Sequence, residues 1–337
     1  IRKYIYLLLI FSYVSFTSCE DFALGEKFLQ KPPSGDVTID TIFSTAEYAR
    51  RVLWYAYSKL PYGFSTGYNN STSMRVGSIE SLTDLAQSYV GYAGADKLYY
   101  PGLYNAGSED ESGGEDHATK YNMYARDPWK GIRHAWVFIN NVDRVPDMTA
   151  EEKLRLKAEA KITIAVQYSE MLRHYGALPI VDHAIMPEEM GLPERATLQQ
   201  TVDFITRLLD EAIACKELPW ALPEDDLSNE SGRMTGAAAM GLKLRVLLFV
   251  ASPLFNSDEP YFPGEASDKL MTWFGGYSEQ RWKDAAKAGE DFFKSWKQGG
   301  FYELVQKETA TKNTIRQAFQ DAYYTRGTTA VSYTHLR

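Results

Sequence analysis

Acidic side chains are the first candidates for chemistry in this sequence, and five of them cluster in one segment: Glu109, Asp110, Glu111, Glu115 and Asp116. Their oxygens could bind Ca²⁺, or two of them could flank a glycosidic bond as acid and base. The spacing does not match a calcium loop, and adjacent acids on a predicted loop lack the fixed separation that catalysis requires. We therefore interpret the cluster as a solvated loop.

Histidines give no stronger indication of catalysis. The five are His117, His134, His174, His183 and His335. None stands in an H-E-x-x-H or comparable metal-binding spacing, and neither a G-x-S-x-G motif nor a phosphate-binding glycine loop is present. The sequence therefore predicts no catalytic residue, no metal site and no cofactor, and it indicates that the protein is not an enzyme.

The first eighteen residues have the organisation of a secretion leader. Arg2-Lys3 forms a positive end, Tyr4 to Val14 forms an apolar segment, and Thr17-Ser18 supplies the small residues at which a signal peptidase cuts. The apolar segment is too short to cross a bilayer as a helix. We predict a lipoprotein signal peptide over residues 1–18.

Cys19 follows these small residues directly and resembles the lipobox cysteine of bacterial lipoproteins, which is acylated and becomes the mature N-terminus. The alternative is a buried apolar strand with an incidental cysteine. The Pro-bearing run that follows favours an extended tether over residues 19–40. The sequence thus predicts attachment to a membrane through lipid on Cys19. Because the chain does not begin with Met, we expect it to be a fragment at both ends.

Composition limits the partners of the chain. Its 36 basic and 44 acidic residues give a net charge of -8, which argues against nucleic acid, since phosphate binding requires a positive surface. Apolar residues make up 45% of the sequence and can form a sizeable core. With Cys19 assigned to lipid, Cys215 has no partner, so no disulfide is expected.

Periodicity predicts a chain built from helices. Capping boxes at Ser44, Thr149 and Thr197 each precede apolar residues at helical spacing. A helix from about Thr235 to Ser252 is apolar on both sides, which is typical of a helix buried between others. A further hairpin helix begins near Trp282. The tryptophans within these patterns are predicted to be core residues: Trp54, Trp129, Trp136 and Trp282.

Two long irregular segments interrupt the helices, over residues 62–119 and 253–277. Both are rich in glycine and in aromatic residues, and long loops within a folded protein are usually functional. Stacked helices with such loops indicate an all-α scaffold of helical hairpins, as in tetratricopeptide repeats.

Several segments in chain order resemble the SusD/RagB family of outer-membrane nutrient-binding lipoproteins from Bacteroidetes. They are Asp40-Thr-Ile-Phe43, Trp129 with Ile132 and Asn140, Lys157-Ala-Glu-Ala160, Tyr175-Gly176 with Pro179 and Val181, Arg195, Gly232-Arg-Met-Thr235, Ser252-Pro-Leu-Phe-Asn256, and Trp282 with Ala285-Ala286. The match covers about the N-terminal two-thirds of a family member. It implies an all-α, tetratricopeptide-like scaffold with long ligand-binding loops.

The resemblance also implies the domain organisation. Residues 41–252 correspond to the SusD-like N-terminal helical domain, and residues 253–327 correspond to the start of the C-terminal domain. Residues 328–337 depart from the family and are expected to be a truncated or non-native tail.

The role implied by the resemblance is binding. Family members lie at the outer membrane, anchored by lipid and facing the outside. There they capture oligosaccharides or other nutrients and cover a TonB-dependent, SusC-like transporter. The alternatives are a helical-repeat adaptor lipoprotein that binds another protein and, with less support, a surface glycoside hydrolase.

For the ligand, pyranose rings expose C–H faces that pack on aromatic rings, while nearby polar side chains bind the hydroxyls. The predicted ligand-binding residues are Tyr99, Tyr100, Tyr104 and Asn105 in the first loop and Trp273 and Tyr277 in the second. For each of them alone, packing of the loop onto the scaffold is an equal or better explanation. The hypothesis therefore depends on the whole set.

Overall fold

The computed structural model describes residues 38–60, 84, 87, 100–103, 128–185, 189, 191, 193–223, 226, 230–302, 309 and 311–324. The chain divides into two units, Ile1–Ile42 and Phe43–Arg337. In the first unit, the described residues contain a short helix, α1 (Ile39–Ile42), whose first turn is closed by the Thr38 hydroxyl accepting from the Thr41 amide at 3.2 Å.

The described part of the second unit is helical. Its elements are α2 (Ala46–Ser58), α3 (Pro128–Asn141), a 3₁₀ turn (Val142–Arg144), α4 (Ala150–Tyr175), α5 (Leu198–Ile213), α6 (Gly236–Ala251), α7 (Glu265–Asp268), α8 (Glu279–Gly299) and α9 (Lys312–Tyr324). No β-strand occurs among the described residues, where a single antiparallel bridge joins Pro179 and Arg195. The predicted all-α class is confirmed.

Threonine caps define the helix starts. The hydroxyls of Thr149, Thr197 and Thr235 each accept from an amide three residues on, and the Thr197 box is completed by Gln200. The predicted Ser44 cap is wrong by one residue. Thr45 has the extended backbone and accepts from the Tyr48 amide instead, and the Glu47 carboxylate pairs with Arg51.

The long helices pack mainly on their neighbours in the chain. Contacts run from α2 to α3, α3 to α4, α4 to α5 and α5 to α6, and α6 then packs on α8. This is the arrangement of stacked helical hairpins, in which each element buries its apolar stripe against the one before and the one after. Tyr168, Phe43, Phe138, Leu53 and Ile132 are among the largest fully buried side chains.

Helix α6 lies between α5 and α8, as its two apolar sides predict. Its buried residues are small or β-branched: Ala237, Ala239, Gly241, Val246, Val250 and Ala251. A Cβ at Gly289 of α8 would lie 3.6 Å from the Leu244 side chain, so the two helices approach closely at this glycine. Small residues on facing helices permit this separation.

Two of the four tryptophans predicted as core residues are not buried. Trp136 is buried and donates its indole N–H to the Val181 carbonyl at 2.9 Å, and Trp129 is half-buried against Tyr168. Trp54 and Trp282 are 37% and 38% exposed, which makes the prediction wrong for both. The Trp54 ring lies beside a guanidinium, and Trp282 lies in the first turn of α8, a helix in which only Ala285 is buried.

Helices α4 and α8 end at glycines with the same backbone conformation. Gly176 has φ 73° and ψ -133°, and Gly300 has φ 59° and ψ -147°. A Cβ at Gly176 would also lie 2.8 Å from the Met271 carbonyl oxygen, whereas a Cβ at Gly300 would meet nothing within 4 Å. Substitution at Gly300 therefore adds only backbone strain, whereas substitution at Gly176 adds backbone strain and steric overlap.

We predict that Gly300→Ala lowers the free energy of unfolding by about 1–3 kcal/mol, the usual cost of a strained backbone conformation. Gly176→Ala is expected to cost a further 1–3 kcal/mol, roughly the penalty of overpacking against a rigid backbone. Urea unfolding of both variants measures the difference. Equal losses in the two variants would contradict the close approach of residues 176 and 271.

Candidate functional site

The segment between α6 and α8, residues 252–278, is mostly irregular and carries several exposed aromatic rings. We refer to this segment as the second loop. Its ends are joined by the buried amide of Asn256. The amide nitrogen donates to the Ala251 and Ser278 carbonyls at 3.2 and 3.0 Å, and the amide oxygen accepts from the Ser278 amide at 2.7 Å. One side chain thus closes the second loop at its base.

Arg281 of α8 reinforces this closure. Its guanidinium donates to the Asn256 oxygen and to the Gly276 carbonyl, both at 2.9 Å, and lies 4.0 Å from the centre of the Phe274 ring. Burial lowers the pKa of Arg281 from its ordinary value. The Phe274 amide also donates to the Phe255 carbonyl at 3.2 Å. The backbone from 274 to 278 is therefore held by the scaffold.

The middle of the second loop is fixed to the segment between α4 and α5 and to the first residue of α5. The Ala177 amide donates to the Met271 carbonyl and the Leu198 amide to the Leu270 carbonyl, both at 2.8 Å. Leu270 has a φ of 55°, which is unusual for a residue with a side chain. Such strain persists only where surrounding contacts impose it, and it is frequent at binding sites.

Trp273 and Tyr277, both predicted as ligand-binding residues, lie in this fixed part of the second loop. The indole N–H of Trp273 donates to the Ser267 carbonyl at 3.0 Å, so the half-buried ring supports α7. Tyr277 is 53% exposed, next to the anchored Ser278. Trp273 therefore has a structural role besides any contact with ligand, whereas the Tyr277 ring is available at the surface.

Tyr261 and Phe262 are the most exposed large apolar side chains among the described residues, at 82% each. They stand between Pro260 and Pro263, and the Ser257 hydroxyl donates to the Glu259 carbonyl at 2.6 Å just before them. Both rings lie in the irregular segment predicted over residues 253–277, but neither is among the predicted ligand-binding residues. The flanking prolines, which restrict the backbone and favour a turn, were the available signal.

Of the four ligand-binding residues predicted in the first loop, the structure describes Tyr100. Tyr100 is exposed. Tyr99, Tyr104 and Asn105 lie outside the described residues, as do Cys19, residues 19–37 of the predicted tether and the acidic cluster of residues 109–116. The last residues of the predicted tether, Ile39 and Asp40, belong to α1. The grouping of the six ligand-binding residues into one site stays a prediction.

Among the described residues, the fully buried charge of the interior is the carboxylate of Glu159. It accepts from Arg155 Nε at 3.1 Å, from Arg233 Nη2 and Nε at 2.5 and 3.1 Å, and from the Tyr57 hydroxyl at 2.8 Å. The motif segments around Lys157-Ala-Glu-Ala160 and Gly232-Arg-Met-Thr235 therefore meet at an ion pair.

A second layer surrounds Glu159. The guanidiniums of Arg155 and Arg233 also bind Glu230, and Arg233 lies 5.3 Å from the Trp54 ring centre. Burial and the adjacent Glu159 charge raise the pKa of Tyr57 well above its ordinary value, so the phenol stays protonated as a donor. Each described group of this cluster binds another protein group, which indicates a structural role.

Tyr168 organises the segment that follows α4. Its hydroxyl donates to the Pro179 carbonyl at 2.9 Å and accepts from the Val181 amide at 2.8 Å. Burial raises the pKa of Tyr168 well above its ordinary value, which keeps the donor proton in place. Arg195 Nε binds the Ala177 carbonyl at 2.8 Å. The same segment supports the second loop at Met271.

His183 lies at the surface between two carboxylates. Its Nδ1 is 2.7 Å from Asp182 Oδ1 and its Nε2 is 2.8 Å from Glu189 Oε2. Ionised carboxylates only accept hydrogen bonds, so both contacts form together only when the imidazole carries two protons. The hydrogen bond to Glu189, followed by that to Asp182, raises the pKa of His183.

Within the described ranges, no group of three or more His, Cys, Asp or Glu side chains is arranged to hold a metal ion. Among the helices of the same residues, none combines the length and apolar character needed to cross a bilayer.

No protein-family model and no curated protein matches the sequence. Solved structures do match. A SusD-like protein from Bacteroides fragilis is 19% identical, with a TM-score of 0.53 over 88% of this chain and 45% of that chain. A SusD homolog from Bacteroides thetaiotaomicron is 17% identical, with a TM-score of 0.51 over 84% of this chain and 52% of the other.

A third solved structure is described as a SusD-like carbohydrate-binding protein from Bacteroides fragilis, at 17% identity and a TM-score of 0.50 over 78% of this chain and 42% of that chain. The chain thus spans about half the length of these proteins, less than the two-thirds that the sequence analysis expects. The likeness shows that the chain has the SusD-like, tetratricopeptide-like all-α fold, and the predicted fold is confirmed.

The contacts of His183 predict a pH dependence. A raised pKa in the folded protein means that the bridge stabilises the fold fully below about pH 6.5, the unperturbed value, and that this stabilisation is lost as the pH rises through the folded value. A proton NMR titration of the imidazole checks the direction. Glu189→Gln is expected to lower the pKa of His183 more than Asp182→Asn does. An unchanged pKa in both variants would contradict the bridge.

Proposed function

We propose that this chain belongs to the SusD/RagB family and is a cell-surface lipoprotein that binds an oligosaccharide or another nutrient. We further propose that it delivers this ligand to a partner TonB-dependent outer-membrane transporter of the SusC type. The observation that carries the proposal is the SusD-like fold, which the chain shares with a solved carbohydrate-binding protein of that fold.

Motif residues support the family assignment beyond the likeness of the backbone. Two of the segments that carry the resemblance in sequence form a specific contact across a long separation, since Glu159 pairs with Arg233. Motifs whose members complete one another's hydrogen bonds are expected of a shared fold and not of chance matches.

The second loop supports the binding of a sugar. The Tyr277 ring is exposed on a backbone that Asn256 and Arg281 hold in place, so little conformational entropy is lost when a ligand stacks on it. Trp273 stands four residues earlier in the same loop. In the proposed site, the ligand is also bound by residues of the first loop, Tyr99, Tyr100, Tyr104 and Asn105.

In this proposal the protein is held at the outer membrane by lipid on Cys19 and faces the outside of the cell. It binds the ligand and does not cleave it. Capture is weak and reversible because it depends on a few stacked rings, and movement of the protein over the transporter then releases the ligand inward.

Purification of the native protein and incubation with a glycan distinguish the proposal from its two alternatives. Purification of the native protein from membranes under mild conditions should recover a large barrel protein if the proposal is right. An adaptor should instead recover a soluble or peripheral protein partner. A surface hydrolase should release shorter oligosaccharides from a glycan on incubation.

We predict that Tyr277→Ala raises the Kd for a bound glycan about two- to twelvefold, equivalent to the roughly 0.5–1.5 kcal/mol typical of an aromatic contact. Isothermal titration calorimetry against a glycan panel provides the measurement. The matched control is Tyr48→Ala, since Tyr48 is 45% exposed on α2 and should leave the Kd unchanged.

The variant Trp273→Phe distinguishes two roles of the Trp273 side chain, which are stacking on a ligand and support of the loop. The variant keeps an aromatic ring but loses the indole N–H bond to Ser267. A modest loss of affinity together with a small loss of stability is expected. If wild-type protein binds no glycan of the panel, or if Tyr277→Ala binds as tightly as Tyr48→Ala, the proposed site is wrong.

A further inference from the structure

Six aromatic residues form a connected surface where α8 ends, and none of them is fully buried. This aromatic cluster consists of Trp220, Phe292, Phe293, Trp296, Phe301 and Tyr302. Each ring contacts another ring of the cluster, with centroid separations from 5.0 Å for Phe301 and Tyr302 to 6.2 Å for Trp220 and Tyr302. Phe293 is 54% exposed. Partly exposed rings in such a group differ from the buried aromatics of the core.

Hydrogen bonds within the chain fix the rings of the aromatic cluster. The indole N–H of Trp220 donates to the Gly300 carbonyl at 3.2 Å, and that of Trp296 donates to the Tyr302 carbonyl at 2.5 Å. A Cβ at Gly299 would lie 2.6 Å from Trp220 Cδ1, so the indole packs directly on the glycine backbone. Both indole donors are used internally, and the surface therefore offers ring faces and edges to a ligand.

The backbone under the aromatic cluster is strained. Phe301 has a φ of 69°, and the Tyr302 amide donates to the Gly300 carbonyl at 2.8 Å, which closes a three-residue turn. A turn of this kind with positive φ is rare and costs of the order of 1–3 kcal/mol for a residue with a side chain. The arrangement holds Phe301 and Tyr302 in one geometry before any ligand binds.

Two lysines lie within the stretch that carries five of the six rings. From Phe292 to Tyr302 the sequence contains Lys294 and Lys297 and no carboxylate, although Asp291 precedes this stretch and Glu303 follows it. Both lysines are exposed, and Lys297 lies one helical turn after Phe293. Asp291 forms an ion pair with Lys287 that lowers the pKa of its carboxyl group, and Lys294 lowers this pKa as well.

The aromatic cluster is separate from the second loop. Helix α8 begins directly after the loop, at Glu279, and ends at Gly299. Its 21 residues span about 30 Å at 1.5 Å per residue. A single sugar unit cannot bridge that distance, so ligands on the two surfaces make different contacts.

We propose that the aromatic cluster is a second glycan-binding surface, selective for acidic oligosaccharides of the uronic acid class. Each unit of such a chain has an apolar C–H face and a carboxylate. About one turn of α8 carries aromatic rings and ammonium groups in alternation, from Phe293, Lys294, Trp296 and Lys297. The rings can pack on the C–H faces of the sugar units and the ammonium groups can pair with their carboxylates. The inference rests on the proposed function only in taking a glycan as the ligand.

Calorimetry with a galacturonic acid hexamer and with its fully methyl-esterified form tests the proposal. The ester has the same rings without the charges. We expect the acid to bind about tenfold more tightly than the ester, equivalent to about 1.4 kcal/mol. The double variant Lys294→Gln/Lys297→Gln should remove this difference, and Phe293→Ala should weaken both ligands.

Lys283→Gln is the matched control, because Lys283 is an exposed lysine of the same helix that pairs with Glu279. It should bind the acid as wild type does. Circular dichroism of all variants establishes that they are folded. Phe293, Lys294 and Lys297 are exposed, so their substitution leaves the core of the protein intact.

Equal affinity for acid and ester would overturn the proposal that the aromatic cluster binds acidic glycans. Unchanged affinity for the acid in the double lysine variant would overturn it as well. Displacement of the acid by a glutamate- and phenylalanine-containing peptide at lower concentration would also overturn it, in favour of a protein-docking surface. Neither result affects the proposed function, which is tested separately by Tyr277→Ala with the glycan of the second loop.

Discussion

The buried carboxylate of Glu159 is the interaction on which the rest of the structure depends. An isolated charge in the interior is strongly destabilising, and removing one partner of a buried pair typically costs about 3–5 kcal/mol. Glu159 is accommodated because two guanidiniums and a phenol from three separate segments donate to it. The start of α6 must therefore lie against α2 and α4 in one arrangement.

The position of α6 determines where the second loop begins. Just after α6 ends, the Asn256 amide joins the loop ends. Arg281 then fixes the backbone near Tyr277, and Met271 is bound to the segment after α4. The exposed rings are thus carried on a backbone that the helices position. In the proposed function, this fixed backbone means that the second loop needs no large rearrangement to bind a ligand, which lowers the entropic cost of capture.

Local patterns predicted the helices well because caps and periodicity are local properties. Thr149, Thr197 and Thr235 begin their helices as expected. The Glu159–Arg233 pair could not be inferred from spacing, since its partners are 74 residues apart and meet only in the folded chain. Trp54 was assigned to the core because periodicity does not reveal a guanidinium beside the ring. The aromatic cluster was missed for a similar reason, since Phe292 and Trp296 have the spacing of core residues.

Amide hydrogen exchange with and without a bound glycan tests the central claim most directly, namely that a rigid helical scaffold presents the second loop to a sugar. The account predicts slower exchange in residues 270–278 on addition of the glycan, with α2 and α4 unchanged, because these helices are already fixed around Glu159. Protection spread evenly over the helices, with none in the second loop, would contradict it.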